Sequence, residues 1–537
     1  MVLIKYLALA GLTTHAAAKA ITTKRSPASS VSCNGQSYTY QELAGYGSVA
    51  SDARDSFGDT ISIGSSMSIK NWSRSGDSYT GTLYGLPDRG WNTNGTQNTV
   101  PRVHIFDIQF TPAPDATKDK PSGPNLQFEY KSTILLSGPD GKPMTGLDPD
   151  FTGGLKFDGF PTLPASTYPG DGFGESGAGD KRISLDAEGL VILDDGFWIS
   201  DEYGPFVYKF DNDGKMVAAI QPPDAILPIR NGEVSFNSNT PPIYDPNQIP
   251  DPEDPTHGRQ NNQGFEGLTI SPDGKSLYVM LQSAAEQDGG NKGSKKRNTR
   301  LLQYSIDGNG ATYKAEYVVP LPKYDSHDGK TKVAAQSEIH YISETQLLVL
   351  ARDSGSGRGQ TEAKSIYRQV DVVDFSDATD IKGDKFDNIQ NGNITEGGFE
   401  NPSDDLVSGI TPAELCSFLD FNDNDELNKF TTAEGDVIHN GSPVDLGLLN
   451  EKWESLALVP VNVADSSSKK RTKCQIRDDD DEYYLFTLSD NDFITNNGYA
   501  DFGKIQFVDN TATVPFLNSQ ALVFKVTLPK GGKPLVA

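Results

Sequence analysis

Three copies of one short pattern constrain what this 537-residue chain can fold into. The segments AEGLVIL, FEGLTIS and WESLALV each place a glutamate and a small residue before a leucine and a short apolar strand. The separations between their glutamates, Glu188, Glu266 and Glu454, fit multiples of about 40–50 residues, the length of a four-stranded propeller blade. The repeat therefore predicts an all-β fold, a β-propeller with six or seven blades.

Turn signals throughout the chain favour the same fold class. Asn-Asp-Gly, Pro-Asp-Gly and Asp-Asp-Gly separate short apolar segments, as hairpin turns do. Only Ala413–Phe418 suggests a helical turn. We expect one propeller domain over residues 40–530. The polar segments near residues 285–300, 374–405 and 464–482 are interpreted as solvated loop insertions without a role in a site.

Polar residues follow the second strand of each predicted hairpin. In an antiparallel hairpin, the end of the second strand lies beside the start of the first. The repeated glutamates and these polar residues should therefore meet at one mouth of the central channel. The polar residues are Asp88 and Arg89, Asp201 and Glu202, Gln282 and Ser283, Arg352 and Asp353, and Asp490, Asn491 and Asp492.

The N-terminal segment indicates secretion. Residues 1–20 have one early lysine, a short apolar run and small residues before a cleavage site, as a signal peptide does. Lys24 and Arg25 resemble a dibasic processing site, so residues 21–25 are interpreted as a short pro-segment. Asn-x-Ser/Thr sequons predict a glycoprotein. Their asparagines are Asn71, Asn94, Asn393 and Asn440.

Charge and cysteine content limit the partners and the covalent structure. The net charge of −26 argues against binding to nucleic acid or to an anionic membrane, both of which need a basic surface. We expect a secreted monomer that binds a small anionic or ester substrate. Cys33, Cys416 and Cys474 predict one disulfide and one remaining thiol in an oxidising compartment, and the spacing leaves the pairing open.

Several segments in this order resemble the phytase-like family described as having esterase-like activity. They are LYGLPDRGWN (83–92), DGFWISDEYGPFVYKFDNDGKM (195–216), NQGFEGLTISPDGKSLYVMLQSA (262–284), LLVLARDSG (347–355), KWESLALVP (452–460) and LFTLSDNDF (485–493). The resemblance implies a secreted β-propeller hydrolase. The chain departs from the family at Ala351, where the family has glutamate, and at Ser455, where it has glycine.

The acidic mouth suggests calcium and hydrolysis. Calcium takes six to eight oxygen ligands, and Glu202, Glu266, Glu454, Asp490 and Asp492 supply carboxylates. A bound metal polarises an ester and lowers the pKa of attacking water. We therefore predict metal-assisted hydrolysis of a phosphate or carboxylic ester. The predicted catalytic residues are Glu202, Glu266, Glu454, Arg89 and Arg352, and the predicted substrate-binding residues are Asp88, Asp353 and Asn491.

Other interpretations of the same residues stay open at this point. Each acid could accept backbone N–H bonds at a turn. Arg89 could pair with Asp88, and Arg352 with Asp353, as structural ion pairs. The chain could then be a propeller that binds a ligand or partner without catalysis. A calcium-dependent lactonase is a third possibility.

Overall fold

A computed structural model describes residues 28–290, 293–388, 392–398, 401, 403–463, 481–511 and 513–536. The predicted signal peptide, the pro-segment, Cys474 and most of the insertion near residues 464–482 lie outside the described residues.

The described chain forms a β-propeller of five antiparallel blades, so the prediction of six or seven blades was wrong. In the first four blades the strands run in chain order from the channel outward. The first blade contains Ser66–Ser75, Ser78–Leu86, Arg102–Phe110 and Leu126–Leu135; the second contains Ala187–Leu193, Gly196–Asp201, Val207–Phe210 and Met216–Ile220; the third contains Phe265–Ile270, Ser276–Leu281, Asn298–Asp307 and Gly310–Pro320; the fourth contains Ala335–Ser343, Gln346–Arg352, Arg368–Asp374 and Glu414–Asp420.

The fifth blade joins the two ends of the chain and closes the ring. Ala457–Pro460, Glu482–Leu488 and Ser519–Thr527 form its inner three strands, and Gln36–Val49 and Ser29–Cys33 form its outer two. A disulfide between Cys33 and Cys416 links this outer edge to the outermost strand of the fourth blade. The disulfide prediction is confirmed, and the structure supplies the pairing that the sequence left open.

The connecting segments add strands to the chain without adding blades. Two-stranded ribbons there carry strand signals but belong to no blade. They are Ala165–Tyr168 with Asp180–Ile183, Ile229–Arg230 with Glu233–Val234, Lys323–Asp325 with Thr331–Val333, and Thr495–Ala500 with Ile505–Asp509. The remaining elements are the short α-helix Asn424–Leu427 and the 3-10 turns Asp224–Ile226, Glu286–Asp288 and Gly293–Lys295.

Close approach of the inner strands explains the small residue in the repeated pattern. A Cβ added to Gly267 would lie 2.6 Å from the Ile339 backbone nitrogen. A Cβ added to Gly189 would lie 2.5 Å from the Cβ of Leu268. At the third copy, Ser455 is fully buried, and its Oγ accepts the Leu488 backbone N–H at 2.9 Å. Five blades make a narrow ring, which leaves no room for a larger side chain here.

The channel between the inner strands is almost filled. A cavity of about 70 Å³ remains, lined by residues from the inner strand of every blade and by Leu535 and Val536 near the C-terminus. Leu535 is held there by two hydrogen bonds, from its N–H to the Tyr341 carbonyl at 3.1 Å and between its carbonyl and His340 Nε2 at 2.9 Å. The C-terminal segment thus lies in the channel beside the inner strands.

Two polar segments are more ordered than their sequences suggest. Arg300 is fully buried, and its guanidinium binds Asp288 and Glu316 at 2.9 Å each. Asp288 also accepts the Ile394 backbone N–H at 2.7 Å. The described parts of the insertions near residues 285–300 and 374–405 therefore pack on one another through these buried contacts. The helical turn expected at Ala413–Phe418 was wrong, because that segment belongs to strand Glu414–Asp420.

Candidate active site at the mouth of the channel

The second strands of the five blades bring polar side chains to one mouth of the channel, as the hairpin geometry predicts. One residue per blade lies at or just after the end of the second strand. These residues are Asp88, Glu202, Gln282, Arg352 and Asp490. The repeated glutamates Glu188, Glu266 and Glu454 stand beside them at the start of the inner strands, so the two sequence patterns form one site.

Asp186, Glu188 and Glu202 form the densest acidic cluster of the mouth. One carboxylate oxygen from each lies within 4.8 Å of those of the other two, and all three residues are buried. Burial and the neighbouring carboxylates raise the pKa of Glu188 well above its usual range, and burial with Asp186 does the same for the pKa of Glu202. Three such groups cannot all be ionised together without a compensating proton or cation.

Arg89 compensates part of that charge. It forms an ion pair with Asp186, and the Arg89 backbone N–H also donates to Asp186 Oδ1 at 3.2 Å. The same guanidinium donates from Nη1 to Asn262 Oδ1 at 2.5 Å. The ion pair between Arg89 and Asp88, which the sequence left open, is therefore not formed. Arg89 fixes the carboxylate of Asp186 instead.

Glu266 lies at the centre of the predicted catalytic set. Gln282 Nε2 donates to Glu266 Oε1 at 2.6 Å, while Oε2 is buried and has no hydrogen-bond partner among the described residues. Burial, followed by the charges of Glu202 and Glu454, raises the pKa of Glu266 well above its usual range. The three glutamates predicted as catalytic thus lie in one electrostatic environment.

Arg352 and Glu454 form the next part of the mouth. Their side chains form a buried ion pair, and Glu451 lies 3.9 Å from Arg352 Nη1. Arg352 therefore does not pair with Asp353 as a structural latch. Asp353 accepts hydrogen bonds from Ser365 Oγ and the Ile366 N–H, both at 2.7 Å. The predicted substrate ligand Asp353 thus has both oxygens bound within its own blade.

The fifth blade contributes Asp490, Asn491 and Asp492, which are also held by protein groups. Asp490 accepts hydrogen bonds from the hydroxyls of Ser62 and Ser65, and Ser62 also donates to Asn491 at 2.7 Å. Asp492 forms an ion pair with Lys452 at 2.5 Å. Burial and then Asp88 raise the pKa of Asp490 well above its usual range.

Asp88 closes the ring between the first and fifth blades. Its carboxylate accepts the Gly90 N–H at 3.1 Å and the Asn92 amide at 2.9 Å. Burial raises the pKa of Asp88 to about 6, against the charge of Lys452. Every basic residue described so far at this mouth is thus paired with an acid, and the acids outnumber the bases.

Three of the nine described non-glycine residues with positive φ lie at the mouth. Asn262, which binds Arg89, has φ 50°, and the consecutive residues Asp492 and Phe493 have φ 51° and 55°. Left-handed conformations of non-glycine residues cost about 1–3 kcal/mol each and cluster at functional sites. Arg89 contacts the side chain of Asn262, and Lys452 contacts that of Asp492.

Sequence reasoning missed four charged residues of the channel. Asp186 lies two positions before Glu188, and Lys452 lies two positions before Glu454; alternation along an extended segment places such pairs on one face. That spacing was a usable signal. It does not extend to Glu451, because alternation places that residue on the opposite face from Lys452 and Glu454. Glu338 gave no signal, because its segment lacks the repeated pattern. It lies deeper in the channel, where Ser66 Oγ, the Leu268 N–H and the Ile339 N–H donate to it.

Fold and site together define a class: a five-bladed β-propeller with a buried acidic site at one end of its channel. A family model described as "Phytase-like: Esterase-like activity of phytase" matches residues 74–493. The matched segment holds most of the mouth, from Asp88 to Asp492. The chain belongs to this phytase-like family, as its motifs suggested.

A secreted relative supports the predicted location. The chain is 48% identical over 477 residues to a protein of Arthroderma benhamiae described as "Uncharacterized secreted protein", and the match covers 87% of this chain and 89% of that protein. Among the described residues, no helix has the length and apolar character needed to cross a membrane. Of the four sequons, Asn71 and Asn94 are exposed, whereas Asn440 is buried and bonded to Ser365.

A solved structure shares only a distant likeness. The α-L-arabinofuranosidase PaAbf62A from Podospora anserina, solved in complex with cellotriose, is 10% identical to this chain. The match covers 90% of this chain and 97% of that chain with a TM-score of 0.27.

Proposed function

We propose that this protein is a secreted ester hydrolase whose active site is the acidic mouth of the propeller. The proposal depends on one observation, the environment of the two carboxylate oxygens of Glu266. One of its oxygens is fixed by Gln282, and the other is buried without a partner among the described residues. Burial raises the pKa of this oriented carboxylate, which makes it a stronger base than a free glutamate and suits it to accept a proton from attacking water.

The neighbouring groups supply the remaining steps of ester hydrolysis. Water loses a proton to Glu266 as its oxygen bonds to the ester carbonyl carbon. The tetrahedral oxyanion is stabilised by a hydrogen bond from Arg89 Nε–H, a buried donor without a partner among the described residues. The proton taken up by Glu266 then passes to the departing alkoxide as the C–O bond breaks. The products are a carboxylic acid and an alcohol.

Charge pairing supports a carboxylic ester over a phosphate ester. Arg89 is paired with Asp186, Arg352 with Glu454, and Lys452 with Asp492. A phosphate monoester would need a guanidinium or ammonium group that is not already neutralised. A neutral carboxylic ester makes no such demand on an acidic mouth.

Calcium remains part of the proposal. The clustered carboxylates are the oxygen ligands that calcium prefers, and they would hold it beside Glu266. When bound, it would polarise the ester carbonyl.

The experiment is a substrate panel with the purified secreted protein. A p-nitrophenyl acyl ester, p-nitrophenyl phosphate, phytate and a sugar lactone are tested with calcium and with chelator. The proposal expects turnover of the acyl ester and little of the two phosphate substrates. Faster turnover of the lactone than of the acyl ester would favour the lactonase. No turnover of any substrate by protein that is folded by circular dichroism would overturn the proposal in favour of a binding propeller.

A further inference from the structure

We propose that Asp186, Glu188 and Glu202 form a calcium site in the second blade, with Glu266 at its edge. This inference rests on the proposed function only for its chemical use; the site itself is argued from geometry. It differs from the ligand set expected from the sequence, which included Glu454, Asp490 and Asp492 and omitted Asp186 and Glu188.

The spacing of the three carboxylate oxygens fits one calcium ion. Calcium binds oxygens at about 2.3–2.6 Å, so two of its ligands lie no more than about 5 Å apart. The three carboxylate oxygens of the cluster lie within 4.8 Å of one another. One ion can therefore contact all three with little movement of the side chains. Two come from the start of the inner strand and one from the end of its neighbour, so a rigid hairpin presents them.

Two carboxylate oxygens at the cluster are buried without a hydrogen-bond partner among the described residues. Glu202 Oε1 is buried and has no partner in the described parts of the chain, and Glu202 is 2% exposed. Glu266 Oε2 is also buried without a partner, and Glu266 is the strongest charge acting on Glu188. Leaving a buried carboxylate oxygen without any partner is costly. A cation held by Glu202 would satisfy its free oxygen and would offset the charge of Glu266.

The net charge around the cluster matches that of one divalent cation. The three carboxylates and Glu266, together with the guanidinium groups of Arg89 and Arg259 that act on Glu202, carry a net charge of −2 when all are ionised. A divalent cation neutralises that charge. Arg89 binds both Asp186 and Asn262, and it therefore sets the orientation of the Asp186 carboxylate. Arrangements of this kind, with a ligand carboxylate fixed by a second residue, strengthen metal binding.

The other acids of the mouth are less available to an ion. Glu454 is paired with Arg352 and Asp492 with Lys452. Asp490 accepts two serine hydroxyls and the Asp492 backbone N–H at 2.6 Å. Binding at these residues would first have to break ion pairs or hydrogen bonds. The second blade thus offers the better site.

Terbium and calcium binding test the site on the full secreted protein. Terbium replaces calcium at oxygen sites, and Tyr203, next to Glu202, is placed to sensitise its luminescence. We expect one ion bound per chain, displaced by calcium, with a higher melting temperature in calcium than in chelator. Glu188→Gln should weaken binding about tenfold or more. Glu454→Gln and the distant, exposed Glu344→Gln should bind within about twofold of the wild type.

Three results would overturn the site. The first is wild-type protein that shows neither sensitised terbium luminescence nor a calcium-dependent rise in melting temperature. The second is Glu188→Gln that binds as the wild type does. The third is Glu454→Gln that loses as much affinity as Glu188→Gln. Because Glu188→Gln removes like-charge repulsion, its melting temperature in chelator should not fall, which shows that the variant is folded.

The same measurements separate this site from the proposed activity. Calcium binding by the wild type without turnover of any ester would leave the cation site standing and remove the hydrolase. Ester turnover that chelator does not affect, in protein that binds no calcium, would leave the hydrolase standing and remove the cation site.

Discussion

Gln282 Nε2 lies 2.6 Å from Glu266 Oε1, across the mouth of the third-blade hairpin. This hydrogen bond lowers the pKa of Glu266, against burial and two neighbouring carboxylates that raise it. It also fixes which oxygen of Glu266 remains free. Gln282 is therefore a positioning residue for the proposed base.

Replacing Gln282 tests that relationship. In Gln282→Ala, the pKa of Glu266 should rise further, because the carboxylate loses its donor. The acidic limb of the pH profile of kcat/KM for an acyl ester should move to higher pH, and kcat at neutral pH should fall about tenfold. Gln303→Ala, on the third strand of the same blade, is the matched control. An unshifted profile in Gln282→Ala would contradict the assigned role of Glu266.

Gly267→Ala tests the packing reason for the repeated pattern. The added methyl group would meet the backbone nitrogen of Ile339 at 2.6 Å and Gln336 Oε1 at 2.8 Å. Overpacking of this kind costs about 1–3 kcal/mol of unfolding free energy. Gly123→Ala, which has nothing within 4 Å, should change it by less than about 0.5 kcal/mol. Equal stability of the two variants in urea would show that the inner strands can move apart.

The disulfide between Cys33 and Cys416 should contribute much of the stability of the closed ring. Cys33 and Cys416 are separated by 383 residues and join the fourth and fifth blades. Replacing both by serine should lower the unfolding free energy by about 2–5 kcal/mol, because the bond restrains a very long loop in the unfolded chain. Cys474→Ser is the control, and a double variant as stable as this control would show that the strands close the ring unaided.

Stability in chelator should fall as pH rises. The pKa of Asp88 is raised to about 6 and that of Asp201 to about 7, both chiefly by burial. Unfolded aspartate titrates near 3.9, so between about pH 4 and pH 7 the native state binds more protons than the unfolded state. The unfolding free energy then decreases through this range as the protons are lost.

Melting temperatures from pH 4 to pH 8 in chelator check this expectation. Calcium should restore stability most at the high end, where the carboxylates are ionised and protons no longer neutralise them. A melting temperature that rises with pH in chelator would mean that the acids of the mouth are stabilised as anions by the protein alone.

Much of this architecture follows from local signals in the sequence. Turn residues and apolar segments identify the hairpins, and antiparallel pairing alone places Glu266 beside Gln282. The blade number does not follow, because Gln36–Val49 belongs to a blade whose inner strands lie more than 400 residues later. No local pattern reports a pairing at that distance.

The ion pairs of the site were harder to predict for a similar reason. Arg89 binds Asp186 of the next blade rather than its chain neighbour, and Arg352 binds Glu454 across the fourth and fifth blades. Contacts between blades depend on the curvature of the ring. That curvature changes with blade number, so an error in the number conceals which charges meet.

The ratio of kcat/KM for an acyl ester between wild type and Glu266→Gln tests the central claim most directly. Glu266→Gln keeps the shape of the side chain and removes the proposed base, so the account predicts a loss of about 10²- to 10⁴-fold. Glu344→Gln should match the wild type. Turnover by Glu266→Gln within twofold of the wild type would contradict the claim that the acidic mouth is the hydrolytic site.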